Sequence, residues 1–78
     1  QPEDHLLYIE QQDRPGAIGR VGTILGDHEV NIATMQVGRR DVGGRAIMVL
    51  SVDKPVSTDI IKALNELEEI HSVTEIDL

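Results

Sequence analysis

The sequence has no cysteine, tryptophan or phenylalanine, and one tyrosine. Without cysteine there is neither a disulfide framework nor thiolate chemistry. With Tyr8 as its single aromatic residue, the chain lacks the stacking platform of an RNA-recognition sheet. Basic residues are also scarce: seven Lys and Arg against fourteen Asp and Glu give a formal charge of −7. Neutralising phosphates requires clustered Lys and Arg, so this balance argues against nucleic acid and equally against an anionic membrane as partner. The longest unbroken apolar run, Ala46 to Leu50, falls far short of the ~20 residues that span a bilayer. No basic segment followed by an apolar stretch marks a secretory signal, and the expected setting is cytoplasmic.

What is present is an ordinary globular composition, 40% hydrophobic and 27% charged over 78 residues. A chain of this size forms one small domain that buries little more than ~60% of its unfolded surface, so partners often add to its stability. It opens Gln1-Pro2-Glu3-Asp4 without an initiator methionine, as expected of a piece of something longer. Residues 1–4 read as a disordered or artificial lead and residues 5–78 as the domain.

Hydrophobic periodicity then places six elements. His5 to Gln11 reads as a strand, with Leu7 and Ile9 on one face and Leu6 and Tyr8 on the other. Ala17, Ile18, Val21, Ile24 and Leu25 recur at helical spacing and form a core-facing stripe, ended by Gly26 or by Asp27-His28-Glu29. Val30 to Arg39 reads as a second strand, Arg40 to Gly44 as a hairpin turn, and Arg45 to Asp53 as a third strand that is apolar on both faces and so central. Ser57 caps a second helix, with Val56 and Ile61 placed as a hydrophobic staple and Ile60, Ile61, Leu64 and Leu67 on its inner side. Lys62, Asn65, Glu66 and Glu69 take the outer side, and Ser72 to Leu78 closes as a last strand.

This βαββαβ order predicts an α+β fold, the ferredoxin-like sandwich: a four-stranded antiparallel sheet with two helices on one face. Right-handed crossovers put the first and third strands in the middle and the other two at the edges. The second strand is then an edge able to pair with its copy in another subunit, and the open sheet face retains apolar residues.

Most of the polar residues carry no chemistry. His5, His28 and His71 share no metal-ligand spacing. Asp53, Asp59, Glu66, Glu68 and Glu69 read as solvated helix and turn charges, and no catalytic set stands out. Gly16, Gly19, Gly22 and Gly26 fit neither G-x-G-x-x-G nor G-x-x-x-x-G-K-[ST]. They fall opposite the aliphatic stripe, either as a face for a partner backbone or as a tolerated weakness of the helix.

The stretch that does point to chemistry is Gln11-Gln12-Asp13-Arg14-Pro15-Gly16-Ala17, between the first strand and the first helix. A helix N-terminus presents unpaired N–H groups to an anion, and the nearby Asp13 carboxylate attracts a cation. A free amino acid carries both charges. Asn31 begins the second strand at the opposite end of the sheet, so it either reaches such a loop only across a pair of protomers or merely shapes its own turn.

These residues resemble the ACT domain, a small-molecule sensor of amino-acid metabolism. The resemblance runs from His5 to Leu78 and rests on Asp13-Arg14-Pro15-Gly16-Ala17-Ile18, on Leu25-Gly26 and on Val30-Asn31-Ile32-Ala33. Within the family the chain is most similar to the C-terminal regulatory domains of serine-biosynthesis dehydrogenases. The resemblance implies edge-to-edge pairing into an eight-stranded sheet, with L-serine at the seam. The ligand-binding positions it implies are Gln11, Asp13, Arg14, Pro15, Gly16, Ala17, Asn31 and Ile32. Asp13 would take the ammonium, backbone N–H groups near Pro15-Gly16-Ala17 the carboxylate, and the Asn31 amide would come from the neighbour. Glutamine at position 11 departs from the histidine or tyrosine of some serine-binding members. No cofactor is implied in this domain, and the implied parent is an NAD-dependent dehydrogenase.

Three functions remain in contention on the sequence. The first is an amino-acid sensor shared between two protomers. The second is an oligomerisation module without ligand, or a sensor for another amino acid. The third is a small acyl-phosphate hydrolase with the same strand order, for which Arg14 is the one candidate phosphate-binding side chain.

Overall fold

Alternation along the first strand decides which way the sheet faces. In β1 (His5–Gln12) the side chains of Leu7 and Ile9 are fully buried, whereas Leu6 and Tyr8 are half-buried on the opposite face. The computed structural model describes residues 5–39 and 44–77. The expected lead at 1–4 and the turn residues 40–43 lie outside them, as does Leu78.

The remaining elements are α1 (Ala17–Asp27), β2 (Ile32–Arg39), β3 (Arg45–Val52), α2 (Thr58–Asn65) and β4 (Ile70–Asp77). The strands form one antiparallel sheet in the order β2-β3-β1-β4, so β1 and β3 are central and β2 is an edge. Leu7 lies opposite Leu50 and Ile9 opposite Met48. These four, with Val52, form the sheet side of a core closed by Val21 and Leu25 of α1 and by Ile60 and Leu64 of α2. Burying each large aliphatic side chain contributes ~1.5–3 kcal/mol, which is what holds both helices on the same face. Ile47 and Val49 emerge half-buried on the other face, beside Leu6 and Tyr8.

Local signals explain the helix ends. The Ser57 side chain accepts from the Ile60 N–H at 3.3 Å, the expected cap, and Val56 and Ile61 both pack on the core. α1 terminates through Glu29, at φ 62°, which lets the Val30 N–H donate to Leu25 O at 2.9 Å. Gly26 is therefore inside the helix's closing turn rather than its left-handed stop. β4 starts earlier than the periodicity indicates, because its pairing with β1 shifts register between Glu10 and Gln11. The extra residue, His71, allows Ile70 and Val73 both to face the core.

Ile18 departs from its expected place in the core stripe. It is 44% exposed, whereas Ala17, Val21 and Leu25 are buried. On the helical wheel it falls at the edge of the stripe, ~60° from Val21, and it borders an open cavity. None of the described helices is long and apolar enough to cross a membrane.

A Cβ added at Gly19, Gly22 or Gly26 would meet nothing within 4 Å, so no contact inside the chain requires glycine there. Gly22→Ala is accordingly expected to raise the stability of the isolated fold by up to ~1 kcal/mol in urea denaturation. Loss of dimer mass in the same variant would instead assign this face to a partner.

Candidate ligand-binding site

Between Gln12 and Ala17 the chain must turn from the sheet up into the helix layer. Pro15 fixes one φ, and Gly16 takes φ +86°, where a Cβ is disfavoured. A Cβ at Gly16 would also lie 2.7 Å from Arg20 Nη1. The loop is anchored at both ends: the Asp13 N–H donates to Gly44 O at 2.7 Å and the Ala17 N–H to Arg14 O at 3.2 Å.

Two ion pairs fasten this turn to the corner between α2 and β4. Arg14 Nη1 lies 2.7 Å from Glu68 Oε1, but both side chains are exposed, and such pairs contribute only ~0–1 kcal/mol. The second pair is better sheltered. Arg20 Nε donates to Glu69 Oε2, while Arg20 Nη2 donates to Pro15 O at 3.2 Å. Glu69 is only 4% exposed, and its own carbonyl accepts the Gln12 N–H at 2.8 Å. The hydrogen bond from Arg20 holds the Glu69 carboxyl below its ordinary pKa, outweighing the opposite effect of burial.

Over the turn opens a cavity of about 480 Å³, within the usual size of small-molecule sites. Gln11 lines it from below, 2% exposed, and its Oε1 has no hydrogen-bond partner among the described residues. A buried acceptor left unpaired costs ~1–3 kcal/mol, so this oxygen is placed to receive a donor. Asp13 and Arg39 also line the cavity, with Arg39 Nε 3.2 Å from Asp13 Oδ2. Ile18 and Val37 give it apolar flanks. Among the described residues, the first-turn N–H groups of Ile18 and Gly19 have no acceptor, and no side chain caps the helix. The Ala17 N–H is already engaged by Arg14 O and proline has none, so of the expected three positions Gly16 keeps a donor without an acceptor among the described residues.

Asn31 lies at the other end of the sheet. Its N–H donates to Asp53 Oδ1 and its Nδ2 to Asp53 Oδ2, both at 3.0 Å, and the Asp53 N–H returns a bond to Asn31 O at 3.1 Å. One N–H of the amide is thereby engaged, leaving its second N–H and the Oδ1 acceptor without a partner among the described residues. Accepting from the Asn31 backbone and then from its side chain also lowers the Asp53 pKa. Asp13 bonds Gly44, just before β3, and Asn31 bonds Asp53, just after it. β3 has eight residues, so at ~3.3 Å each the two sites are ~25 Å apart.

The ACT domain family model matches residues 5–69. The chain belongs to the ACT domain family. It is 56% identical over 77 residues to a D-3-phosphoglycerate dehydrogenase of Bacillus subtilis, covering 99% of this chain but 15% of that protein. It is 31% identical over 70 residues to a probable L-serine dehydratase beta chain of the same organism, covering 90% of this chain and 32% of that one. The chain thus spans a small fraction of the length of these relatives. The ACT domain of a GTP pyrophosphokinase from Chlorobium tepidum superposes with a TM-score of 0.71 at 17% identity, covering 92% of this chain and 95% of that one, which supports the fold alone.

Of the positions the resemblance named, this ACT domain brings Gln11, Asp13, Arg14, Pro15 and Gly16 together around the cavity. Ala17 is buried behind it, at 2% exposure. Asn31 and Ile32 are not brought there, and Ile32 instead pairs with Val52 at the far end and packs against the core. Sequence reasoning missed Arg39 and Val37, although parallel β1 and β2 must end on the same side of the sheet. It also misplaced Glu69, read as a solvated helix charge. α2 stops at Asn65, so the helical wheel no longer governs residue 69, and the chain folds that carboxylate inward onto Arg20. Asp53 is exposed as expected, yet it is pinned to Asn31 rather than free.

Arg20→Ala would leave Glu69 buried without its cation. The expected loss is ~1–3 kcal/mol at pH 7 in urea denaturation, less than for a fully buried pair because Arg20 is half-exposed. Glu69 has a lowered folded pKa, so the wild-type pair stabilises above the ordinary carboxylate pKa and loses that contribution as pH falls through the folded value. The deficit of the variant should therefore shrink toward pH 4; an equal deficit at both pH values would contradict the assignment.

Proposed function

We propose that this ACT domain is the amino-acid sensor of a D-3-phosphoglycerate dehydrogenase, binding L-serine at the junction of two copies and feeding back on an NAD-dependent active site elsewhere in a longer cytoplasmic protein. The observation that carries this reading is the cavity at the start of α1, where a buried, unpartnered Gln11 Oε1 stands beside the Asp13 carboxylate and free helix N–H groups. Acceptors and an anion on one side, with backbone donors on the other, suit an α-amino acid. Its likeness to a phosphoglycerate dehydrogenase and to a probable serine dehydratase chain supports serine in particular.

The second copy enters because Asn31 is one sheet length from the cavity. Pairing β2 edges antiparallel would carry the Asn31 of one chain toward the Asp13 turn of the other. Asp53 leaves Asn31 with a free acceptor, which suits a ligand ammonium or hydroxyl. Two or three charge-assisted hydrogen bonds of ~1.5–3 kcal/mol each, less the cost of immobilising the ligand, give ~4–8 kcal/mol, the micromolar-to-millimolar range of a feedback sensor. A ligand that bridges two copies must also tighten their pairing. An oligomerisation module without ligand is the second reading, and the Asp13–Arg39 pair favours it by satisfying the loop carboxylate internally.

Millimolar serine is expected to raise the melting temperature of the chain and shift its mass toward a dimer in sedimentation. Asp13→Ala should abolish both effects. A dimer indifferent to serine, glycine and the branched-chain amino acids would favour the second reading instead.

A further inference from the structure

Two cations line the cavity: Arg14 is held on Glu68, and Arg39 has no role in the proposed function. Arg39, the last residue of β2, places Nε 3.2 Å from Asp13 Oδ2, on the carboxylate assigned to the ligand ammonium. The two partners differ in freedom. Asp13 is 16% exposed and anchored through its N–H to Gly44, whereas Arg39 is 62% exposed on a long side chain at a sheet edge. Of the two, Arg39 is therefore the partner placed to move and Asp13 the one held in position.

We propose that Arg39 is a charge-exchange residue that restricts the site to zwitterions. Without ligand it occupies Asp13; with ligand it yields that carboxylate to the ammonium and takes the ligand carboxylate as a charge-assisted, bidentate pair. The inference rests on the reading that the cavity binds an amino acid, and it adds the basis of selection. Asp13 and Arg39 stand in contact, while Arg14, the other cation lining the cavity, is held on Glu68. A zwitterion inserted between Asp13 and Arg39 leaves every charge partnered. An amine without a carboxylate takes Asp13 and strands the guanidinium, while a carboxylate without an amine takes Arg39 and leaves Asp13 beside a second anion. Each alternative exchanges one ion pair for another and leaves one charge over, whereas the zwitterion replaces one pair with two.

A second observation fits a ligand that carries a donor. Gln11 is buried within the cavity and its Oε1 accepts from nothing in the described chain. A ligand hydroxyl or ammonium can donate to that oxygen.

The test compares three probes by calorimetric titration of the chain: serine, serinol, which lacks the carboxylate, and glycerate, which lacks the amine. Wild type should bind serine at least ~10-fold more tightly than either. Arg39→Gln should weaken serine by roughly 10- to 100-fold and leave serinol unchanged or improved, since Asp13 is vacated, so the serine preference over serinol collapses. Arg39→Lys should restore part of it. Arg39 is a surface residue, and an unchanged melting temperature without ligand confirms that the variants fold. Serine binding to wild type with the same serine-to-serinol ratio in Arg39→Gln overturns the exchange and leaves the sensor reading standing. Failure of wild type to bind any amino acid overturns both.

Discussion

β1 and β2 run in the same direction with β3 between them, and the layout of the candidate site depends on this constraint. A βαβ crossover requires it, since α1 must carry the chain back over the sheet before β2 begins. The turn after β1 and the residue before β2 are thereby placed at opposite ends of the sheet. Asp13 hydrogen-bonds the start of the β3 segment and Asn31 its end. No side-chain movement closes ~25 Å within one chain. If both groups act on one ligand, a second copy must supply one of them, and the exposed β2 edge is the place where an antiparallel copy would bring it.

The turn itself is held more firmly than its surface position suggests. Its backbone is fixed by Pro15 and by the left-handed Gly16, and Arg20 joins the Pro15 carbonyl to the buried Glu69 carboxylate. Glu69 in turn accepts the last N–H of β1. The Asp13–Ala17 turn, the first turn of α1 and the entry to β4 therefore form one connected polar unit. Such a unit lowers the ordering cost of binding, because the loop is already in place when a ligand arrives. The exposed element is the Arg39 side chain at the rim, paired with Asp13, so the proposed response to ligand is confined to an exchange of ion pairs and to the seam with the second copy.

Much of this was legible in the sequence, for identifiable reasons. Strict alternation in β1 and a doubly apolar β3 determine which strands are central, and the strand order then follows from the handedness of the crossovers. The Asp13–Gly16 turn was legible because proline and glycine have few uses directly before a helix. Pairings between residues distant in sequence were not. Arg20 and Glu69 are 49 positions apart, and nothing in either local pattern distinguishes a buried carboxylate from the solvated ones around it. Ile18 followed the helical stripe and still came out exposed, since periodicity gives a direction but not how wide an arc of the helix is covered. Arg39 was overlooked as a strand-end charge, although its side chain meets Asp13 only because β1 and β2 are parallel.

The central claim is that each ligand site combines the Asp13 turn of one copy with Asn31 of another. Mixing two inactive variants tests it most directly. Asp13→Ala and Asn31→Ala chains should each fail to bind serine in a calorimetric titration, yet after dissociation and remixing at equal concentration they should regain binding. About half of the dimers would be hybrids, each with one intact site contributed by both chains, so capacity should return to about a quarter of the wild-type value. A mixture that stays silent, or an Asn31→Ala chain that binds serine as well as wild type, would contradict a shared site.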